Sequence, residues 1–208
     1  MNRDVTPELH AIEVDGMTRS SFLLRATLAA GAMYGAGAVA PFVSRALAQT
    51  QSGDLAILNF ALGLEQIEEA FLAYALKSAK LSGQVKKLAT EFHSHEAQHV
   101  ALLRQTVQML GGKPAPAPKV KFTGVTDQQS FVRIGIGLEE AGVGAYNGAG
   151  PLIKTPDLVA AAGGIVQTEA RHAAALRMQA GMDPAPAAFD TPLTPAKAQA
   201  AVKKALGS

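Results

Sequence analysis

The sequence predicts an all-α protein: a four-helix bundle with one long crossover between its second and third helices, preceded by an N-terminal export signal or anchor helix. Three observations predict it. Four segments repeat apolar residues at three- and four-residue steps, the period of a helix that buries one face. The breaks after the first and third segments are short, whereas residues 113–125 form a long Pro-rich connection. The second and fourth segments each carry Glu-x-x-His on the apolar stripe, as Glu96-Ala97-Gln98-His99 and Glu169-Ala170-Arg171-His172.

The first helix is expected over residues 54–81, after the capping side chains of Ser52-Gly53-Asp54. Leu58, Leu62, Glu65, Glu69, Leu72 and Leu76 form its stripe, widened by Ile57, Leu64, Phe71 and Ala75. Ser82-Gly83 is a short turn, which makes the second helix, residues 84–110, an antiparallel neighbour. Its stripe is Val85, Leu88, Phe92, Glu96, His99, Leu103 and Leu110, and Gly111-Gly112 ends it. Residues 113–125 hold Pro114, Pro116 and Pro118, which favour a stiff, extended chain. At roughly 3.3 Å per residue they reach about 43 Å, and a helix of about 28 residues is about 42 Å long. The connection can therefore cross the whole bundle.

Thr126 to Gln129 reads as a Thr-x-x-Gln capping box for the third helix, residues 127–149. That helix carries Phe131, Ile134, Leu138, Glu139, Gly142 and Tyr146, and its many glycines permit close packing at a cost in helix stability. Gly150-Pro151 ends it. Thr155-Pro156-Asp157 places Pro at the first position of the fourth helix, residues 156–180. Leu158, Ala162, Ile165, Glu169, His172 and Leu176 make its stripe, and a short tail helix is expected over 195–206.

Six polar residues interrupt these apolar stripes: Glu65, Glu96, His99, Glu139, Glu169 and His172. Glu65 precedes Glu96 by 31 residues and Glu139 precedes Glu169 by 30, each after a Leu, so the chain repeats one device. The other reading is a set of buried salt bridges. Four carboxylates in one core repel, however, and two imidazoles do not compensate them, whereas two metal ions do. A Glu from each of two helices and a Glu-x-x-His from each of the other two is the ligand set of a two-metal carboxylate site. Oxygen and imidazole donors without thiolate suit iron first and manganese second. Glu96 and Glu169 are expected to bridge or flank both ions, with Glu65 and Glu139 terminal and one His on each ion. Glu68 is the alternative to Glu65, but the repeat aligns it with Gly142. Glu69, Glu91 and Glu140 read as solvated or outer residues. His93 and His95 read as surface histidines, with His95 a turn before His99 and within reach of the site's edge.

Composition narrows the function classes. The chain has no Cys, which excludes disulfides, thiolate zinc sites and thiol catalysis. A net charge of +2 with scattered basic residues argues against a nucleic-acid surface. Residues 1–48 read as a secretory signal: Arg19 and Arg25 flank an uncharged run, Ala26–Ser44, that leads to the small-x-small site Ala46-Leu47-Ala48. Thr18-Arg19-Ser20-Ser21-Phe22-Leu23 resembles a twin-arginine export signal with only one arginine of the pair. A retained membrane anchor is the alternative, because an apolar run of about 20 residues can just span a bilayer. The folded body is then residues 49–208, in an exported or membrane-anchored protein.

The mature chain resembles the ferritin-like superfamily. It is most similar to the exported ferritin-like domain family that includes plant desiccation-related proteins. The segments that carry the resemblance are Ile57–Leu62 with Leu64-Glu65, Glu96-x-x-His99, Leu138-Glu139 with Gly142-Val143 and Ala145-Tyr146, Glu169-x-x-His172, and Ala188-Phe189-Asp190. The resemblance implies a Tyr seven residues after the first-helix Glu. Tyr146 keeps that step after Glu139, and Leu72 stands there after Glu65. The activity it implies is redox chemistry on Fe(II), O2 or peroxide, as an oxidase, a ferroxidase or a peroxide-removing enzyme. A non-enzymatic stress-protective or structural protein and an iron-storage protein are the alternatives. The expected partners are metal ions and O2 or peroxide, with a second copy of the chain admitted.

Overall fold

The computed structural model describes residues 52–207 and two short strands upstream. The export signal or anchor expected within residues 1–48 otherwise lies outside the described residues. The chain divides into two units, residues 1–44 and 45–208. In the first, β1 (Glu13–Val14) pairs antiparallel with β2 (Met17–Thr18), Glu13 opposite Thr18 and Val14 opposite Met17. This pairing leaves no mark in the sequence, because two residues per strand are too few to show a period.

The second unit is helical: α1 (Ser52–Ser78), α2 (Gly83–Met109), α3 (Gln128–Ala149), α4 (Pro156–Gln179) and α5 (Pro195–Leu206), with a 3-10 turn at Gly150–Leu152. Helix α1 packs along α2 and α3 along α4; α1 also meets α3, α2 meets α4, and α5 lies on α3. Among the described residues no helix is long and apolar enough to cross a membrane.

Two caps differ from the expected ones. The N-cap of α3 is Asp127, whose carboxylate accepts from Ser130 N while Ser130 Oγ accepts from Asp127 N. The capping box is one residue later than Thr126–Gln129 because the shorter Asp and Ser side chains satisfy each other's backbone donors. Asp54 does not cap α1. Its carboxylate accepts from Lys154 N, Thr155 N and Thr155 Oγ1 at 3.0, 3.1 and 2.7 Å, tying the start of α1 to the start of α4.

The crossover runs along α1. Asn59 donates to Lys113 O and accepts from Ala115 N, Pro118 lies over Gly63, Phe122 packs on Phe71 and Tyr74, and Gln128 accepts from Ser82 N. Contacts that advance from residue 59 to residue 82 traverse the bundle's length, as the linker's reach predicted.

Two apolar clusters fill the interior at opposite ends. One is built around Phe71, Phe131, Ile134, Leu138 and Leu176, with Phe71 and Phe131 stacked at 5.3 Å and α5 sealed onto it by Ala198 and Val202. The other holds Leu58, Leu62, Leu103, Val107, Leu158 and Ile165. Several α3 glycines serve the tail rather than the four-helix interface. A Cβ at Gly148 would lie 2.0 Å from the Leu193 carbonyl oxygen, and Leu193 N donates to Gly144 O at 2.8 Å. Only glycine lets that strand of backbone lie so close to the helix.

Candidate metal centre

Between the two apolar clusters the helices present their interrupting polar residues to one another. Glu65, Glu96 and Glu169 are fully buried, and His99, Glu139 and His172 nearly so. One donor atom from each of Glu65, Glu96, His99 and Glu169 lies within 4.8 Å of all the others, and the same holds for Glu96, Glu139, Glu169 and His172. All six sequence-derived candidates thus meet in one place. Glu96 and Glu169 belong to both groups, Glu65 with His99 to one, and Glu139 with His172 to the other.

Each imidazole turns Nδ1 into the cluster. His99 Nδ1 is 3.0 Å from Glu65 Oε2, 3.2 Å from Glu96 Oε2 and 3.4 Å from Glu169 Oε1. His172 Nδ1 is 3.2 Å from Glu96 Oε1 and 3.3 Å from Glu139 Oε2. A ring nitrogen carries at most one proton, so neither can donate well to all the carboxylates around it. Glu96 Oε1 and both oxygens of Glu169 are left without a properly aligned hydrogen bond. Buried carboxylate oxygens are costly unless paired, hydrogen-bonded or bound to metal.

The titration behaviour shows the same imbalance. Burial opposes charge on His99, yet Glu169, Glu65 and Glu96 overcome it and push the imidazole up to about 12. His172 is likewise held up, against burial, to about 10 by Glu139 and Glu96. Burial, then Glu139 and Glu96, push Glu169 up to about 8. Burial and Glu169 raise Glu65 well above the usual carboxylate range, and burial outweighs His172 in raising Glu139. Glu96 moves down: burial opposes this, but both histidines stabilise its charge. Without metal, the cluster therefore holds protons where a cation would otherwise sit.

Three further polar residues complete the centre. Tyr146, two turns after Glu139 on α3, donates its hydroxyl to Glu65 Oε1 at 2.5 Å, so the second half of the repeat orients a carboxylate of the first. His95 lies on His172, its Nδ1 2.9 Å from His172 Nε2 and the rings nearly parallel. When His172 Nδ1 offers its lone pair inward, Nε2 carries the proton and His95 Nδ1 accepts it. Burial and the neighbouring His172 charge lower His95, which keeps it neutral for that role. Phe92 stacks on the other part of His172 at 3.8 Å.

The third is Glu68, nearly fully buried, with Oε2 unpartnered. A Cβ on Gly142 would lie 3.1 Å from Glu169 Oε2 and 3.2 Å from Glu68 Oε1. The repeat that pairs Glu68 with Gly142 in sequence places them face to face: the side chain missing from one half makes room for the one present in the other. Burial, then Glu169 and Glu65, raise Glu68 well above its usual range. It lies beside the six candidates: Glu65 stands in one of the two four-donor groups and Glu68 in neither. The sequence signal was its place on an inward edge of the helix, beside Leu64 and Phe71, and the structure adds that it is buried against Glu169 and Gly142.

His95 was read as a surface residue and is a half-buried partner of His172. Glu140 pairs with Arg177 on the outside, and Glu91 is exposed. Phe189, in the tail segment, is 91% exposed and takes no part.

The donor set fits metal. It offers oxygens and imidazole nitrogens only, with orphaned carboxylate oxygens in both groups. Residues 53–182 match the family model of the ferritin-like domain. The chain belongs to the ferritin-like domain family. The match takes in all four long helices, the crossover and every residue of the centre. No curated protein sequence matches the chain.

Proposed function

We propose that this ferritin-like protein holds two metal ions, iron first and manganese second, and carries out redox chemistry on Fe(II), O2 or peroxide outside the cytoplasm. One observation carries the reading: two imidazole Nδ1 atoms face carboxylates shared between two four-donor groups, with oxygens in both groups lacking hydrogen bonds. Glu96 and Glu169 would touch both ions; Glu65 and His99 would hold one, Glu139 and His172 the other. When bound as two Fe(II), iron would supply the two electrons that, with two protons, reduce H2O2 to two waters.

The chain's own residues do the rest. The Tyr146 hydroxyl fixes Glu65 through Oε1 and leaves Oε2 facing His99. His95 holds the proton of His172 Nε2 on the outer side, so that Nδ1 faces inward as a lone pair. Glu68 keeps a proton on a buried carboxyl beside Glu169, in reach of a reaction that consumes protons. The two apolar clusters keep bulk water away, which strengthens every charge interaction inside.

Support for export, or for a membrane anchor, comes from the sequence of residues 18–48. Support for kinship with the exported, desiccation-related proteins comes from the sequence segments around the ligands.

Elemental analysis of protein grown with excess iron or manganese, followed by optical spectra of the reduced form on addition of O2 or peroxide, tests the reading. The expected result is two ions per chain and an oxidant-dependent absorption change. Protein that holds no metal under either condition overturns it and favours the structural alternative. Metal without any response to oxidant leaves a binding protein that does not turn over.

A further inference from the structure

The centre is packed on one side and open on the other. Towards the Phe71 end, Gly135 lies one turn from Glu139, and a Cβ there would meet Leu176 at 2.8 Å and Phe71 at 3.5 Å. Phe92, one turn from Glu96, lies flat on His172. Towards the opposite end lies a cavity of ≈ 30 Å³. Its lining includes Ala61, Leu103 and Ile165, which stand four residues from Glu65, His99 and Glu169 respectively. Residues four apart on a helix are neighbours on one face, so this cavity begins one turn from three of the proposed ligands. Tyr146 also lines it, and its hydroxyl reaches Glu65.

The walls decide what can occupy it. Leu58, Leu158 and Ala162 complete an apolar surface. Thr106, a polar residue on the wall, has its hydroxyl engaged with Leu102 O at 2.8 Å, and the Tyr146 hydroxyl is engaged with Glu65. A buried water needs about two to four polar partners, whereas apolar cavities stay dry and take up apolar guests such as xenon. The space admits a molecule of two or three heavy atoms and offers it an almost wholly apolar wall, on which both hydroxyl protons are already engaged.

We infer that this cavity is a binding site for a small apolar molecule of dioxygen's size, placed one turn from the metal centre. As a source of oxidant it rests on the redox reading above; as a gas site it does not. The cavity biases the centre towards O2 as the co-substrate that can accumulate beside it, since peroxide is strongly hydrogen-bonding and meets only two hydroxyls, both already donating elsewhere, on otherwise apolar walls.

Crystals of the metal-free and metal-loaded protein, pressurised with xenon, test the inference, with xenon NMR in solution as a second readout. Xenon is expected between Leu58, Tyr146 and Ile165 in both forms. It should be lost from Ala162→Leu, which fills the space, and gain occupancy in Leu58→Ala, which enlarges it. In the metal-loaded, reduced protein, Ala162→Leu should slow oxidation by O2 several-fold and leave both metal content and the rate with peroxide unchanged. A wild-type cavity that binds no xenon, or that holds ordered waters, overturns the inference. So does an Ala162→Leu variant that keeps its xenon, or one that loses it and still reacts with O2 at the wild-type rate. Protein that takes up xenon as expected but never reacts with O2 keeps the gas site and overturns the redox reading instead.

Discussion

The two halves of the centre share their inward ligands and differ at several positions in the turns around them. Glu65, Glu96 and His99 on α1 and α2 repeat as Glu139, Glu169 and His172 on α3 and α4. Beyond that set, α1 has Glu68 where α3 has Gly142, and α3 has Tyr146 where α1 has Leu72. His172 is backed by His95 and Phe92. Tyr146 crosses to Glu65 instead of supporting its own half. The lesson is that duplication of a helix pair supplies a symmetric donor set, while single departures in the neighbouring turns make the two positions unequal. The departures are also complementary: Glu68 occupies the hollow that Gly142 leaves, and the Tyr of one half orients the carboxylate of the other.

The largest effect is expected where the halves are joined. Glu96→Ala or Glu169→Ala removes a donor from both groups and should take bound metal from two ions per chain to none by elemental analysis. A variant that retains one ion would show that the halves bind independently and that neither residue is shared. Replacing His95 with Ala should act on one position only. Loss of a partner behind a metal-binding His typically costs about 10–100-fold in affinity, so calorimetric titration should resolve one weakened and one unchanged site. Equal weakening of both would deny the asymmetry.

The pH dependence of the metal-free protein sharpens the same picture. Glu169 is pushed up to about 8, while an unfolded carboxyl titrates near about 4.3. Between those values the folded protein keeps a proton that the unfolded chain has lost, so stability falls as pH rises from about 5 to about 8. His99 and His172, held up to about 12 and about 10, act in the same direction. Their contribution is complete below about 6.5 and is lost as pH climbs through those higher values. Bound metal should reverse the trend, because it displaces these protons and binds more tightly as they leave. Melting temperatures at pH 5, 6.5 and 8, with and without metal, check it; a metal-free Tm that rises over this range contradicts the proton-holding cluster.

Smaller effects belong to the unequal neighbours. Tyr146→Phe leaves Glu65 Oε1 without its donor and should cost about 1–3 kcal/mol in urea unfolding of the metal-free protein. Gly142→Ala should destabilise through its approach to Glu68 and Glu169, and much less so when Glu68 is already Ala. Side chains in contact typically couple by about 0.5–3 kcal/mol in a double-mutant cycle, and strict additivity of the two changes would mean that Glu68 does not use the hollow.

The sequence by itself determined whatever depends on spacing along a single helix. Glu96 and His99, or Glu169 and His172, share a face because three residues are nearly one turn, and a polar residue on an apolar stripe shows in the period alone. The path of the crossover followed from prolines and reach. The tertiary structure decided which individual side chains meet across helices, because relative rotation and fine height are set by side-chain packing and leave no periodic trace. Thus His95 faces His172 across 77 residues, Tyr146 reaches Glu65 across 81, and Asp54 ties down Thr155 across 101. That Glu68 has room beside Glu169 because Gly142 carries no side chain is a relation that exists only once α1 and α3 are placed against each other.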